Sequence, residues 1–526
     1  METLLLFAVT AASVRAIGLP GYLNDPFDVS IVPPRLDCVD LFTNSAYEIH
    51  RSLFIQALNL MQGRDTSRFT SWTQLAGIHG EPYNQAWDYY ELYPKNLGYC
   101  PHGSTKFPHW HRAYMGQIET HVKRAAMALA NDYNDEKWMV ASNYVRLCYW
   151  DWASDDSISN PMPYWFTDST LSILTPSGYQ TVHNPLSGFA PASGFIPSNP
   201  NYRSSRAQNW QSWMAIQSRD EVRLLFDPSV NSNWAAFATH TNDNAGDSNP
   251  NQYHSVEHIH DNVHGWLGNT MGVVSLAAFD PIFFFHHANV DRLLTLWELA
   301  MQGQPNSQID SNTASSPLPP FRNEQNQDDP WLVRDLAGWQ GTTKMFYTYP
   351  EIIQHKNDPA GLRAALMQKY SFKNPTVQFQ PTSFSGRDST PTDAGQPGAY
   401  AHFEVDKHCL GEAFYVKFFV NGHFATAGYV FAMNSVAGVT MAPLIIGGSA
   451  VLTHALMNAS LLDKPEQWKK AVTVKVETFS GRDIPLSQIY SLKIKLQPAI
   501  HYHSAAEIFS RLPSSTSSWP SPIQLI

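Results

Sequence analysis

Two histidines four residues apart, His260 and His264, constrain this chain more than any other feature. They lie in Ser255 to Trp297, SVEHIHDNVHGWLGNTMGVVSLAAFDPIFFFHHANVDRLLTLW. That spacing puts both imidazoles on one face of a helix, where they can converge on one metal ion. His286 and His287 follow the apolar run Pro281 to Phe285 and precede Asn289, Asp291 and Arg292, so a third ligand can come from that pair. They start a second helix-like segment, Val290 to Met301, with Leu293, Leu294 and Trp297 on its apolar face. Three neutral imidazoles suit copper, zinc, iron or nickel, and ligand type alone does not choose among them. Zinc hydrolases of the HExxH kind set a glutamate beside the first ligand as general base. Here that slot holds Asp261, and on these residues alone a zinc hydrolase stays open.

A second histidine cluster lies upstream, His79 in GIHGEP and His102, His109 and His111 in YCPHGSTKFPHWHRAY. Two clusters suggest two metals. With 21 histidines in 526 residues, six at these spacings, together with FPHWHR and DPIFFFHHANVDR, make a specific signal. Both stretches resemble the copper-binding signatures of the tyrosinase, catechol oxidase and molluscan haemocyanin family. The likeness is greatest to the long fungal tyrosinases with a C-terminal covering domain, and strongest from Pro33 to Tyr349.

That resemblance implies a mainly α fold, a helical bundle holding a dinuclear type 3 copper site, with His79, His102 and His111 on one copper and His260, His264 and His287 on the other. His109 and His286 are left out. It also implies a thioether between Cys100 and His102, a water-holding role for Glu257, and a small gate residue at Val274. Asp261 stands where several relatives have asparagine, and would orient that water or accept a phenol's proton. The activity implied is that of a phenol oxidase using O2 to hydroxylate monophenols and oxidise o-diphenols to o-quinones, with melanin formation as the family's usual outcome. A catechol oxidase with little monophenolase activity is the alternative, because Asp261 departs from the pattern. A haemocyanin-like O2 carrier would use the same six histidines, but such carriers are arrays of repeated units and no repeat appears here.

Around these motifs the chain reads in order. METLLLFAVTAASVRA, residues 1–16, has a short apolar run and small residues before a cleavage point after Ala16, as in a secretory signal peptide, although Glu2 replaces the usual basic start. Export is therefore expected. No stretch reaches 18 consecutive apolar residues, so no membrane span is expected. A net charge of −10 with no basic stripe argues against nucleic acid as a partner. Four cysteines, Cys38, Cys100, Cys148 and Cys409, are too few and too dispersed for a disulfide scaffold.

Arg35 resembles the arginine that ties the start of the family's domain to a closing tyrosine motif, here Phe346 to Tyr349. His50 is read as a surface or packed histidine, Tyr114 as core, and Arg112 and Glu119 as members of buried polar pairs. Phe107 and Phe285 are candidate walls of the copper pocket. Tyr149 to Asp156 resembles a structural tryptophan motif, and residues 157–252 read as ordered loops around helices, with a helical piece near Ser218 to Phe226.

The dicopper domain is expected over 17–375, a polar Pro-, Gly- and Ser-rich linker or exposed loop over 376–400, and a covering domain over 401–526. The runs AFYVKFFV, AGYVFAM, AVTVKVETF and YSLKIKLQPAI make that last domain a small β-sandwich. In the long fungal relatives such a domain inserts an aromatic side chain at the copper site, for which Phe403, Phe414, Tyr415 and Phe418 are the candidates. A latent proenzyme follows, activated by a protease cutting between about Gln378 and Tyr400, with small phenols and O2 as substrates.

Overall fold

A computed structural model describes residues 32–83, 98–207, 210–228, 230–231, 233–241, 253–304, 306–323, 326–371, 396–433, 441–501 and 523–526. The expected signal peptide, residues 1–16, and most of the expected linker lie outside the described residues.

Helices α1 (Glu48–Gln62), α2 (Phe107–Tyr133), α3 (Ser212–Leu225), α4 (Val256–Leu267), α5 (Ile282–Ala300) and α6 (Pro359–Lys369) carry the first unit. Each has a local reason to form. On α1, Leu53, Ala57, Leu58 and Met61 are buried, the face expected from their spacing. Pro108 sits in the first turn of α2, where its missing N–H costs nothing, and Asn134 ends that helix at φ 50°. Ser255 caps α4 by accepting the His258 N–H, and Gly268 stops it at φ 61°.

The helix expected from Val290 begins earlier, at Ile282. His286 and His287 therefore lie inside it, and α5 is buried on almost every side, as the unbroken apolar run before them requires. Helices α1 and α5 pack on α2, and α4 packs on both α2 and α5.

Three buried arginines lock this bundle. Arg35 binds Glu119 at 2.8 Å, Asp291 at 2.9 Å and the Tyr349 hydroxyl at 3.0 Å, with its guanidinium 3.5 Å from the Tyr347 ring centroid. Arg112 binds Asp291 at 2.7 Å and Glu298 at 2.9 Å. Arg292 pairs with Glu351 and lies over Tyr149. The start of the domain, its two longest helices and its closing tyrosine motif are thus tied through one carboxylate, Asp291.

Two expectations need correction in this unit. Cys38 and Cys148 are joined by a disulfide that links chain segments 110 residues apart. Dispersal in sequence hid it, because only the fold brings the two together. Within the span read as loops around helices, Thr170–Thr175 (β1) and Gly178–His183 (β2) form a regular antiparallel hairpin. A second hairpin joins Pro317–Asn323 (β3) to Asn326–Leu332 (β4).

The C-terminal unit is a sandwich of two four-stranded sheets. One has the order β10-β9-β6-β7 and the other β12-β11-β5-β8. The strands are β5 (Gln396–Asp406), β6 (Phe414–Val420), β7 (His423–Val430), β8 (Ile445–Val451), β9 (Val472–Thr478), β10 (Asp483–Ile484), β11 (Lys493–His501) and β12 (Ile523–Gln524). Strand β6 alternates strictly, Phe414, Val416, Phe418 and Val420 pointing inward. The four runs read as strands become β6, β7, β9 and β11.

Residues 396–400, expected as linker, already lie in β5. Gln396 pairs with His501, and buried Tyr400 pairs with both Gln497 and Val451. Proline and glycine made this stretch look like linker, but main-chain pairing with β11 along its length, and with β8 from Tyr400, holds it in the sheet.

Candidate metal centre

Helices α4 and α5 bring four imidazoles together, His260, His264, His286 and His287, whose nitrogens lie within 4.8 Å of one another. His260 Nε2 and His264 Nε2 each stand 3.3 Å from His287 Nε2. The outward nitrogens decide what the inward ones can do. His264 Nδ1 donates to the Met271 carbonyl at 2.7 Å, and His260 Nδ1 donates to Asp261 Oδ1 at 2.9 Å. With the proton on Nδ1, a neutral ring presents a bare Nε2 lone pair. At least two such lone pairs therefore point at one small space, an arrangement a cation relieves.

His286 differs. Trp152 Nε1–H, which can only donate, reaches His286 Nδ1 at 3.1 Å. In a neutral ring the proton then sits on Nε2, so His286 offers no inward lone pair. Three ligands remain, His260, His264 and His287. Trp152, read from sequence as packing only, is what separates His286 from them.

A second group comprises His79, Cys100, His102 and His111. His79 comes from a loop, and its Nδ1 donates to the Val274 carbonyl at 2.9 Å, leaving Nε2 buried without a protein partner. His111 Nδ1 donates to the Phe107 carbonyl one turn earlier on α2 at 2.9 Å. Cys100 Sγ is 3.6 Å from His102 Nε2 and 3.3 Å from His111 Nε2. Burial pushes the Cys100 thiol pKa up, away from thiolate, so the three imidazoles are the better donors. The two groups face each other: His111 stacks on His287 with centroids 4.2 Å apart, and His102 lies 5.7 Å from His260.

Burial keeps these rings neutral. It lowers His79 to about 3, and holds His102, His111, His264 and His287 well below the usual range, with neighbouring imidazoles adding to the effect. Soft nitrogen donors without charge, aimed at two adjacent spaces, fit two copper ions. Among the described residues no other group of this kind occurs. His109 is drawn away by Glu298 at 3.0 Å, and His50 lies apart beside Tyr47 and Tyr144.

The other expected site residues have definite partners. Glu257 Oε1 accepts the Gly103 N–H at 2.6 Å and Oε2 accepts Thr239 Oγ1 at 2.7 Å, so both its oxygens hold protein rather than facing the space between the groups. Asp261 lies between His260 and His240, whose Nδ1 is 3.2 Å from Oδ2. Those two imidazoles keep its carboxyl well below the ordinary range despite burial. Val274 contributes its main-chain carbonyl to His79. His240 was missed by sequence reasoning, because it lies in the stretch read as loops and matches no spacing rule.

Phe107 does wall the site, with ring centroids 4.5 Å from His111 and 4.8 Å from His260. Phe285 does not, since it packs on Phe54 and Phe166. The helix turns its neighbour Phe283 inward instead, 4.1 Å from His287 and 4.9 Å from His79.

The C-terminal unit closes the top. Phe431, just past β7, stacks on His264 with centroids 4.5 Å apart and also approaches His102 at 5.4 Å and His260 at 6.0 Å. None of the four expected aromatics fills this place. Phe403, Phe414 and Phe418 belong to the sandwich core, and Tyr415 binds the Gly265 carbonyl at 2.7 Å on the rim. The covering residue escaped because it follows a strand, and strand patterning does not reveal where a chain end points.

Comparison with known proteins agrees with this geometry. Residues 69–300 match the family described as the common central domain of tyrosinase. The chain is 29% identical over 388 residues to polyphenol oxidase 3 of Agaricus bisporus, an alignment covering 64% of this chain and 62% of that protein's length. It is similarly 29% identical over 374 residues to a tyrosinase of Podospora anserina, covering 62% and 63% respectively. The chain thus spans somewhat less than two thirds of these relatives. In fold it resembles recombinant mushroom tyrosinase, with a TM-score of 0.70, 23% identity, and coverage of 89% of this chain and 93% of that one.

Proposed function

We propose that this chain, whose residues 69–300 match the common central domain of tyrosinase, is a type 3 copper oxidase of that family. It uses O2 to hydroxylate monophenols and oxidise o-diphenols to o-quinones, and its own C-terminal unit holds it latent. The observation that carries this reading is the pair of facing three-imidazole groups, with His111 of one stacked on His287 of the other.

His79, His102 and His111 would hold one copper and His260, His264 and His287 the other. Bound there, the pair supplies the two electrons for reducing O2 and the Lewis acidity that favours phenolate. The chain's own residues do the rest. Phe107 and Phe283 exclude water from the rings they touch. The Val274, Met271 and Phe107 carbonyls fix the ring tautomers at His79, His264 and His111. A phenol with a free pKa near 10 must give up its proton, and the nearest carboxylates, Asp261 and Glu257, hold their own partners first. That engagement is the ground for the alternative reading as a catechol oxidase, whose o-diphenol substrates need less help with deprotonation. The ratio of monophenol to o-diphenol turnover decides between them.

Latency is supported by Phe431 on His264 and by the anchoring of the first unit's end. Lys369 binds Asp151 at 2.8 Å, Tyr370 donates to Asp151 at 2.9 Å, and Arg219 holds the Ser371 carbonyl at 3.0 Å. A protease cutting beyond residue 371 would leave these ties intact. The thioether between Cys100 and His102 would form by loss of the S–H and one ring C–H hydrogen to O2 as oxidant, leaving the chain lighter by that hydrogen pair. Export with cleavage after Ala16 is tested by N-terminal sequencing, which should begin at Ile17.

Oxygen uptake with a monophenol and with an o-diphenol, before and after limited proteolysis, tests the whole reading. Uptake that rises after cleavage with both substrates is expected. Reversible oxygen binding without turnover would instead indicate a carrier.

A further inference from the structure

We propose that His240 is a positioning residue for the metal site of His260, His264 and His287, held in place by the C-terminal unit. The inference rests on the copper reading above and extends it to a residue that no motif includes.

The His240 ring is fully buried. Its Nδ1 lies 3.2 Å from Asp261 Oδ2 and its Nε2 lies 3.8 Å from Glu257 Oε2. Asp261 accepts from the ligand His260, and Glu257 accepts from Gly103, the residue after the ligand His102. One imidazole therefore stands between the carboxylate that orients a ligand of one group and the carboxylate that anchors the loop bearing a ligand of the other. Two buried carboxylates without a donor or cation between them repel each other and are costly to desolvate. Remove the imidazole, and Asp261 Oδ2 loses the ring nitrogen that stands 3.2 Å from it, so the carboxylate that accepts from His260 Nδ1 loses its fixed direction.

What holds His240 is unusual. Its carbonyl accepts the Gly447 N–H at 2.8 Å, and Thr241 forms an antiparallel bridge with Ile446. Both partners belong to β8, whose opposite edge pairs with β5, Gly447 lying across from Glu404. The segment 239–241 thus extends a sheet of the C-terminal unit. Two of its other ties run to the metal site: Thr239 Oγ1 to Glu257 at 2.7 Å and Thr241 Oγ1 to the Gly103 carbonyl at 3.3 Å. The C-terminal unit accordingly touches the site twice, from above through Phe431 and from the side through His240. The second contact bears on how firmly His260 is aimed.

The test uses the full-length, copper-loaded chain and follows copper lost to a competing chelator. In His240→Phe one of the two ions should leave at a chelator concentration about tenfold or more below that needed for the unaltered chain, the usual effect of losing a group that orients a ligand. His240→Asn should restore most of the difference, since its amide N–H can take the place of Nδ1–H. Gly447→Pro removes the N–H that faces His240 and also fixes φ within the strand; it should shift the loss in the same direction as His240→Phe. Melting of the copper-free variants reports packing separately. The inference is overturned if His240→Phe keeps both ions as firmly as the unaltered chain, or if His240→Asn is no better than His240→Phe. An unaltered chain that holds fewer than two copper ions removes the parent reading, and this one with it.

Discussion

The ring of Phe431 lies 21° from parallel to the His264 imidazole, with centroids 4.5 Å apart, so an apolar side chain from one unit occupies the face of a ligand belonging to the other. A planar phenol approaching that ligand must displace it. In the uncleaved chain, Phe431→Ala should raise o-diphenol oxidation by about tenfold or more, the equivalent of roughly 1.4 kcal/mol in access. Steady-state oxygen uptake by uncleaved protein is the measurement. Unchanged activity would mean that other contacts keep substrate out.

Gly265 and Gly272 receive the cover. A methyl group on Gly265 would lie 2.2 Å from Tyr429 Cγ, and one on Gly272 would lie 2.3 Å from Phe479 Cε2. Neither contact can be accommodated without movement of the C-terminal unit. Gly265→Ala should leave α4 at least as stable, because alanine is the better helix former by about 1 kcal/mol. It should also loosen the seal, seen as faster hydrogen exchange at Tyr429 and higher activity before cleavage. Exchange at Tyr429 equal to that of the unaltered chain would show that the two units repack without parting.

Arg35 tests the lock of the bundle. Its removal leaves Glu119 and Asp291 buried with a cation missing, the situation that costs about 3 to 5 kcal/mol when one partner of a buried pair is lost. Arg35→Ala should therefore lower the unfolding free energy measured by denaturant titration by that order, while Arg51→Ala, whose partner Glu48 is part-exposed, should change it little. Equal effects from the two variants would argue against the buried network.

Acid should weaken the copper-free protein in a defined window. Burial lowers His121 and His258 to about 4 and His402 to about 3, and holds His254 well below its usual value. Because the unfolded chain takes up these protons first, their contribution is complete above the unfolded value near 6.5 and is lost as pH falls toward 4 and 3. Glu221, pushed up to about 8, and Asp37, pushed up to about 7, act with the opposite sign, since the unfolded carboxyls ionise first as pH rises. The histidines outnumber them, so the melting temperature should fall steadily below about pH 6.5. A melting temperature that stays level from pH 6.5 to 4 would contradict this assignment.

Much of the site could be read from the chain because helical spacing carries direct geometric information. His260 and His264 share a helix face whatever surrounds them, and the alternation along Phe414 to Val420 forces one side inward. What could not be read depends on contacts between distant segments. Trp152 distinguishes His286 from His287 across 134 residues of sequence. Cys38 finds Cys148 only once Asp37 and Tyr149 form a bridge. Phe283 rather than Phe285 faces the ligands because α5 starts before the histidines, and its phase sets which ring turns inward. Phe431 sits in a run read only as strand, His240 in a span read only as loops, and each is placed by the meeting of the two units.

The central claim is that two groups of three imidazoles each hold one copper ion. Elemental analysis of the full-length chain and of His264→Ala, both purified in the presence of copper, addresses it most directly. The account predicts two copper ions per chain in the first and one in the second. A single ion in the unaltered chain, or two retained after His264→Ala, would contradict it.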